Sequence, residues 1–251
     1  DLQLPSALPS TVAALIVLND RLRDRAEALA EGRPVHRLTQ PVDVGHFSLG
    51  PPPAPVPRRL LLLGNNRAEW RADGLRRACD DRGIEVTRIG AAAGNIVRDP
   101  LQHLRGADIV VGYGRSVLEA MACGRTAFVF DRFGSDGWVT ASTYPSLEAT
   151  GFNGASGLDD PGRDVWDDVF DAYDPGLGAV GHDLVFRHHD ARSHTAAVVA
   201  LLDGLGPVEP AEPASAYVLA RIWREQWRGG RQARARAREA GAVRGRRGDL
   251  C

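Results

Sequence analysis

Gly112, Gly114, Arg115, Ser116 and Glu119 stand within eight residues of one another. Those types at that spacing suit the binding of an anion beside a pair of hydroxyls. Glycines at 112 and 114 let the backbone approach a ligand with no Cβ in the way. A helix opening just after them would aim the amides of Ser116 and Val117 at a crevice, a place that favours phosphate. Arg115 adds fixed positive charge that can grip a phosphate as a fork. Glu119, one turn further in, can face the same crevice and accept hydrogen bonds from a diol.

The surrounding stretch, Ala107 to Asp131, supplies the elements these residues need. Asp108 to Tyr113 is a short β-branched run that fits a strand buried on both faces. Ser116 to Cys123 is a run of good helix formers stopped by Gly124, and Thr126 to Phe130 is the next strand. The pattern repeats upstream. Leu60 to Leu63 is a buried strand, and a helix from about Arg67 to Arg82 carries Trp70, Leu75, Ala78 and Cys79 on one side. Gly83 ends that helix, and Ile84 to Ile89 is another strand. Alternating strands and helices predict an α/β fold, a Rossmann-like three-layer parallel sheet.

The run Gly112-Tyr113-Gly114-Arg115-Ser116-Val117-Leu118-Glu119-Ala120-Met121-Ala122-Cys123-Gly124 resembles the donor-binding motif of GT-B glycosyltransferases. The familiar form there is E-G-F-G-x-x-x-x-E-A-M-A-C-G. The resemblance implies the C-terminal, donor-binding domain of such an enzyme, with Glu119 on the ribose of a nucleotide-sugar and the glycine turn against its diphosphate. It implies that Gly64, Asn65, Asn66 and Arg67, the first glycine turn, line the near wall. It gives Arg115 the catalytic role of stabilising the departing diphosphate, helped by Arg67. The nucleotide-sugar donor is then a substrate, and no cofactor or metal is expected. The acceptor is unknown. One departure stands out: the family's first glutamate, which touches the donor sugar in retaining members, is Val111 here. A non-catalytic nucleotide or sugar-nucleotide binding module is the alternative, and a nucleotide-sugar epimerase a weaker third reading.

The rest of the chain divides by composition. Residues 1–50 read as strand (Ala13 to Leu18), helix (Asn19 to Ala30, with Asn19 as N-cap) and strand (Val35 to Pro41). By the resemblance they are a remnant of the acceptor-side domain and its linker, with Gln40 to Asp43 leading out of it. Gly50 to Pro57 is proline-rich and marks a boundary. Residues 58–204 are expected to form the donor-binding domain. A loop from Gly90 to Val97 offers the candidates for holding the base, and Arg132 to Trp138 reads as a glycine-rich loop in which Asp136 and Trp138 could meet a sugar. Residues 205–251 comprise a linker, a helix and an arginine-rich tail. That tail is either solvated or laid on anionic lipid.

With 251 residues, 43% hydrophobic and 25% charged, the composition is that of a soluble globular protein. A net charge of −1 gives no nucleic-acid signature. Cys79, Cys123 and Cys251 have no metal or disulfide spacing, so a cytoplasmic setting is expected, membrane-peripheral if the tail binds lipid. His182, His188, His189 and His194 with Asp190 crowd in sequence but lack tight metal spacing, and are expected to cap or solvate helix ends. Asp1 is not methionine, so the chain is expected to be a piece of a longer protein.

Overall fold

The structure, a computed structural model, describes residues 8, 11–64, 73–91, 93–131, 134–154 and 163–205. The chain divides into two units. Ala14–Gly204 is one; the other, Asp1–Ala13 with Leu205–Cys251, lies almost wholly outside the described residues, and the arginine-rich tail with it.

In the larger unit, β1 (Leu15–Val17) and β2 (Val35–Arg37) flank α1 (Arg23–Ala30) and pair in parallel as a small sheet. Both strands are shorter than the apolar runs suggested. Asn19 stands before a single 3-10 turn, Asp20–Leu22, and its side chain makes no capping bond. Next come β3 (Arg59–Leu63), α2 (Asp73–Asp81), β4 (Glu85–Ile89), α3 (Leu101–Gly106), β5 (Ile109–Gly112), α4 (Arg115–Ala122) and β6 (Thr126–Asp131). They are followed by β7 (Gly134–Trp138), α5 (Tyr144–Thr150), α6 (Arg163–Asp171), α7 (Leu177–His188) and α8 (Ala191–Gly204).

The main sheet runs β4-β3-β5-β6-β7, with the first four strands parallel. Helices cover both faces, which makes the Rossmann-like three-layer α/β arrangement. The two-residue period of a strand divides its side chains between the faces. Leu60, Leu62, Ile109 and Val111 join Leu75 of α2 and Trp166 and Phe170 of α6. Leu61, Val110 and Val129 join Val117, Leu118 and Met121 of α4 and Val185 of α7. Each such aliphatic side chain contributes about 1.5–3 kcal/mol when fully buried.

Two expectations change. Residues 134–138 are not a loop: β7 pairs antiparallel with β6, with an irregularity between Val129 and Phe130. Trp138 packs edge-on against Phe128, and its indole N–H donates to the Val169 carbonyl at 3.2 Å, so it is a structural residue. On α6, Trp166 and Phe170 point inward, whereas Val165 is 42% exposed.

The proline-rich stretch is tied down rather than free. Asp108, at the start of β5, accepts backbone N–H bonds from Ala54 at 2.9 Å, Arg58 at 2.8 Å and Arg59 at 3.0 Å. Arg125, buried, donates to the carbonyls of Pro51, Cys123 and Ala107, and the Tyr173 hydroxyl donates to the Ala54 carbonyl. Burial alone would raise the Asp108 pKa, but the three N–H bonds and the Arg59 charge outweigh it and hold the carboxyl below its ordinary 3.8. A depressed acid stabilises the fold above its unfolded value, and that contribution is lost as pH falls through the folded value. Asp108→Ala is therefore expected to lower the unfolding free energy by about 3 kcal/mol at neutral pH. Urea unfolding of the two proteins checks this, and the gap between them should shrink below pH 3.8, the ordinary value.

Candidate functional site

Because β3, β4 and β5 are parallel, their C-terminal ends converge on one rim, where such sheets place ligands. A cavity of about 310 Å³ opens there. Its floor is Leu63 and Gly64 after β3, Ile89 and Gly90 after β4, and Tyr113, Gly114, Arg115, Ser116 and Glu119 from the turn into α4; Ile96, Val97 and Pro100 form the far wall. That volume lies at the lower end of the range for small-molecule sites.

The turn into α4 is built by the two glycines in different ways. A Cβ on Gly112 would lie 2.6 Å from the Ser116 hydroxyl and 2.9 Å from the Leu63 carbonyl oxygen. The bare glycine thus lets the helix start against the end of β3. Gly114 has space around it but adopts φ 56° and ψ −129°, a conformation other residues rarely reach. Its amide donates to the Phe152 carbonyl at 2.6 Å, so it serves the fold rather than a ligand. The Ser116 hydroxyl donates to the Tyr113 carbonyl at 2.8 Å and accepts from the Tyr113 amide at 3.1 Å, locking the turn.

The sequence-derived residues thus divide. Gly64, Gly114, Arg115, Ser116 and Glu119 line the cavity, and Gly112 supports it from behind. Val117 is a correction: its side chain is fully buried in the core, and its amide donates to the Gly114 carbonyl at 3.2 Å. Asn65, Asn66 and Arg67 lie outside the described residues. Tyr113, Leu63, Ile89 and Pro100 were not foreseen as lining residues. They carry no chemical signature, and only the parallel topology puts them together.

Glu119 is the one acid on the rim of α4. Leu118, Ala120, Met121 and Ala122 are all buried, leaving Glu119 facing the cavity with its side chain 13% exposed. One carboxylate oxygen accepts from Arg115 Nε at 2.9 Å. Burial raises the Glu119 pKa and Arg115 opposes this; the balance leaves it above the ordinary carboxylate value. Beyond them His46 Nε2 and Asp99 pair at 3.2 Å, and their charges act on Glu119 in opposite senses.

Other candidate chemistry falls away. Burial pushes the Cys79 thiol to about 12 and that of Cys123 to about 11, so neither is a thiolate nucleophile. Among the described residues no cluster of three or more His, Cys, Asp or Glu is arranged to hold a metal. His189 is neither a ligand nor solvated. It is buried, Nδ1 donates to the Gln40 carbonyl at 2.7 Å, and Nε2 accepts from the Tyr144 hydroxyl at 2.8 Å. Burial also lowers its pKa, which keeps it neutral. Among the described residues no helix is long and apolar enough to cross a membrane.

No family model matches the chain, and no curated protein matches it in sequence. Among solved structures, one titled "Crystal structure of GtfA/B complex" is similar at a TM-score of 0.48 and 12% identity, over 77% of this chain and 46% of that one. The chain spans just under half the length of that match. A likeness so distant bears on neither substrate nor reaction.

The glycine geometry predicts that Gly112→Ala destabilises the protein by about 1–3 kcal/mol, since the Leu63 carbonyl is backbone and cannot turn aside. Gly106→Ala is the control: a Cβ there meets nothing within 4 Å. It should leave stability within about 0.5 kcal/mol in the same thermal melts.

Proposed function

We propose that this rim binds a nucleoside diphosphate sugar and that the chain is the donor-binding part of a glycosyltransferase. The observation that carries the reading is the convergence of an Arg115 guanidinium, the start of α4 and the Glu119 carboxylate on one cavity at the ends of parallel strands. The diphosphate lies at the first turn of α4, where Arg115 and the helix start both favour negative charge. The ribose hydroxyls donate to Glu119. The base lies toward Ile96 and Val97, the apolar side of the cavity.

Micromolar binding needs about 8 kcal/mol. A carboxylate on a diol supplies roughly 1.5–3 kcal/mol per charged hydrogen bond. The helix start adds about 0.3–1 kcal/mol. Arg115 on phosphate and apolar burial of the base make up the rest.

In the transfer itself, the acceptor's nucleophile bonds to the anomeric carbon and gives up its proton, while the bond from that carbon to the diphosphate oxygen breaks and charge builds on the leaving diphosphate. A preorganised cation at that oxygen lowers the barrier. Arg115 is the residue assigned this role, in a metal-independent reaction.

A second reading, a nucleotide-binding module without turnover, has one observation in its favour. Val111 lies buried among Leu62, Phe128 and Trp166, so the position where the resembling family keeps a sugar-contacting glutamate is core here. Release of free nucleoside diphosphate from a nucleotide-sugar would overturn this second reading.

Calorimetric titration with UDP, GDP and ADP tests the site. At least one should bind at micromolar concentration, and Glu119→Ala should weaken it by more than tenfold, about 1.4 kcal/mol. Circular dichroism should show the fold intact in that variant. If none of the three binds below millimolar, the reading fails.

A further inference from the structure

The same two side chains that the proposed function assigns to different parts of the ligand are bonded to each other. Arg115 Nε donates to Glu119 Oε1 at 2.9 Å, and the cavity opens beside the pair. A carboxylate that holds a 2′,3′-diol uses both oxygens, and here the guanidinium crowds one of them. The ribose and the guanidinium therefore compete for Glu119.

The pair is also poorly placed to last. Arg115 is the first residue of α4, where the helix dipole is positive, and no acidic residue shares that first turn. An acid following its basic partner at i,i+4 is the weaker of the two orientations on a helix. Arg115 is 61% exposed on its side chain and can swing, whereas Glu119, at 13%, is held by the packing of the helix around it. An anion at the start of α4 would oppose both positive charges and draw the guanidinium off.

We propose that Arg115 makes the site selective for phosphorylated ligands, by blocking Glu119 until a diphosphate pulls the guanidinium to the helix start. The inference rests on the nucleotide reading above. A nucleoside, lacking phosphate, must displace Arg115 from Glu119 with nothing to receive it. A nucleoside diphosphate supplies the receiving anion and frees the ribose acceptor in one step. Diphosphate and ribose then bind cooperatively although they touch different residues.

The test uses uridine, guanosine and adenosine with their 5′-diphosphates, at pH 8, on the full chain and on Arg115→Met. Removing the guanidinium should move the two ligand classes in opposite directions. The diphosphate is expected to lose at least tenfold in affinity, as a lost phosphate fork implies. The nucleoside should gain about 1.5- to twofold, the size expected of an exposed i,i+4 pair. Inorganic pyrophosphate supplied separately should tighten nucleoside binding to the wild type and have no such effect on Arg115→Met.

Nucleoside affinity that falls or stays level in Arg115→Met, or pyrophosphate that fails to promote nucleoside binding to the wild type, overturns the gate while diphosphate binding leaves the nucleotide reading standing. Wild type that binds none of the diphosphates overturns both.

Discussion

A single helix has to be hydrocarbon on nearly every side and still present a charge. α4 is enclosed by the sheet and by α7, so Val117, Leu118, Ala120, Met121 and Ala122 are all inaccessible to water. Only the edge at the rim is left, and Glu119 occupies it. The packing of the five apolar residues fixes where the carboxylate stands; rotating the helix to expose it further would bring a methionine or a leucine to water. The cost of burying that acid is offset in part by Arg115, the neighbour one turn back. Site and core are for this reason one arrangement, and Gly64, the strand ends and the far wall are arranged around it.

Much of this could be read from the chain. The β-branched run before Gly112 and the helix formers after it are strong local signals, and the structure has a strand and a helix there within one residue or two of the expected bounds. The parallel sheet followed from alternation of such units. What was missed depended on distant partners. Gly134-Ser135-Asp136-Gly137 has no strand propensity, and it becomes β7 because β6 offers it a hydrogen-bonding edge. His189 looked like a polar residue at a helix end; two carbonyl and hydroxyl partners far away in sequence, Gln40 and Tyr144, draw it inside. Val117 was placed near the phosphate through its amide, and that amide instead closes onto the Gly114 carbonyl while the side chain enters the core.

The prolines of residues 51–57 teach a related point. Composition reads them as a separator, and proline does stiffen the backbone there. Yet proline carbonyls still accept, and Arg125 uses that of Pro51, while Asp108 collects the amides at Ala54, Arg58 and Arg59. A buried acid and a buried base, facing main chain rather than each other, hold the segment against the domain. Neither role is visible in local sequence, since both partners lie more than forty residues away from the groups they bind.

At the flank of the sheet farthest from β7, strand β4 has β3 as its one partner strand among the described residues. Such a border exposes a row of main-chain donors and acceptors that a strand from a second molecule can adopt. Glu85 and Arg88 are both exposed on it. An incoming strand would have to strip the hydration of both charged groups. Charged side chains on a border strand are one of the ways in which sheets resist edge-to-edge pairing.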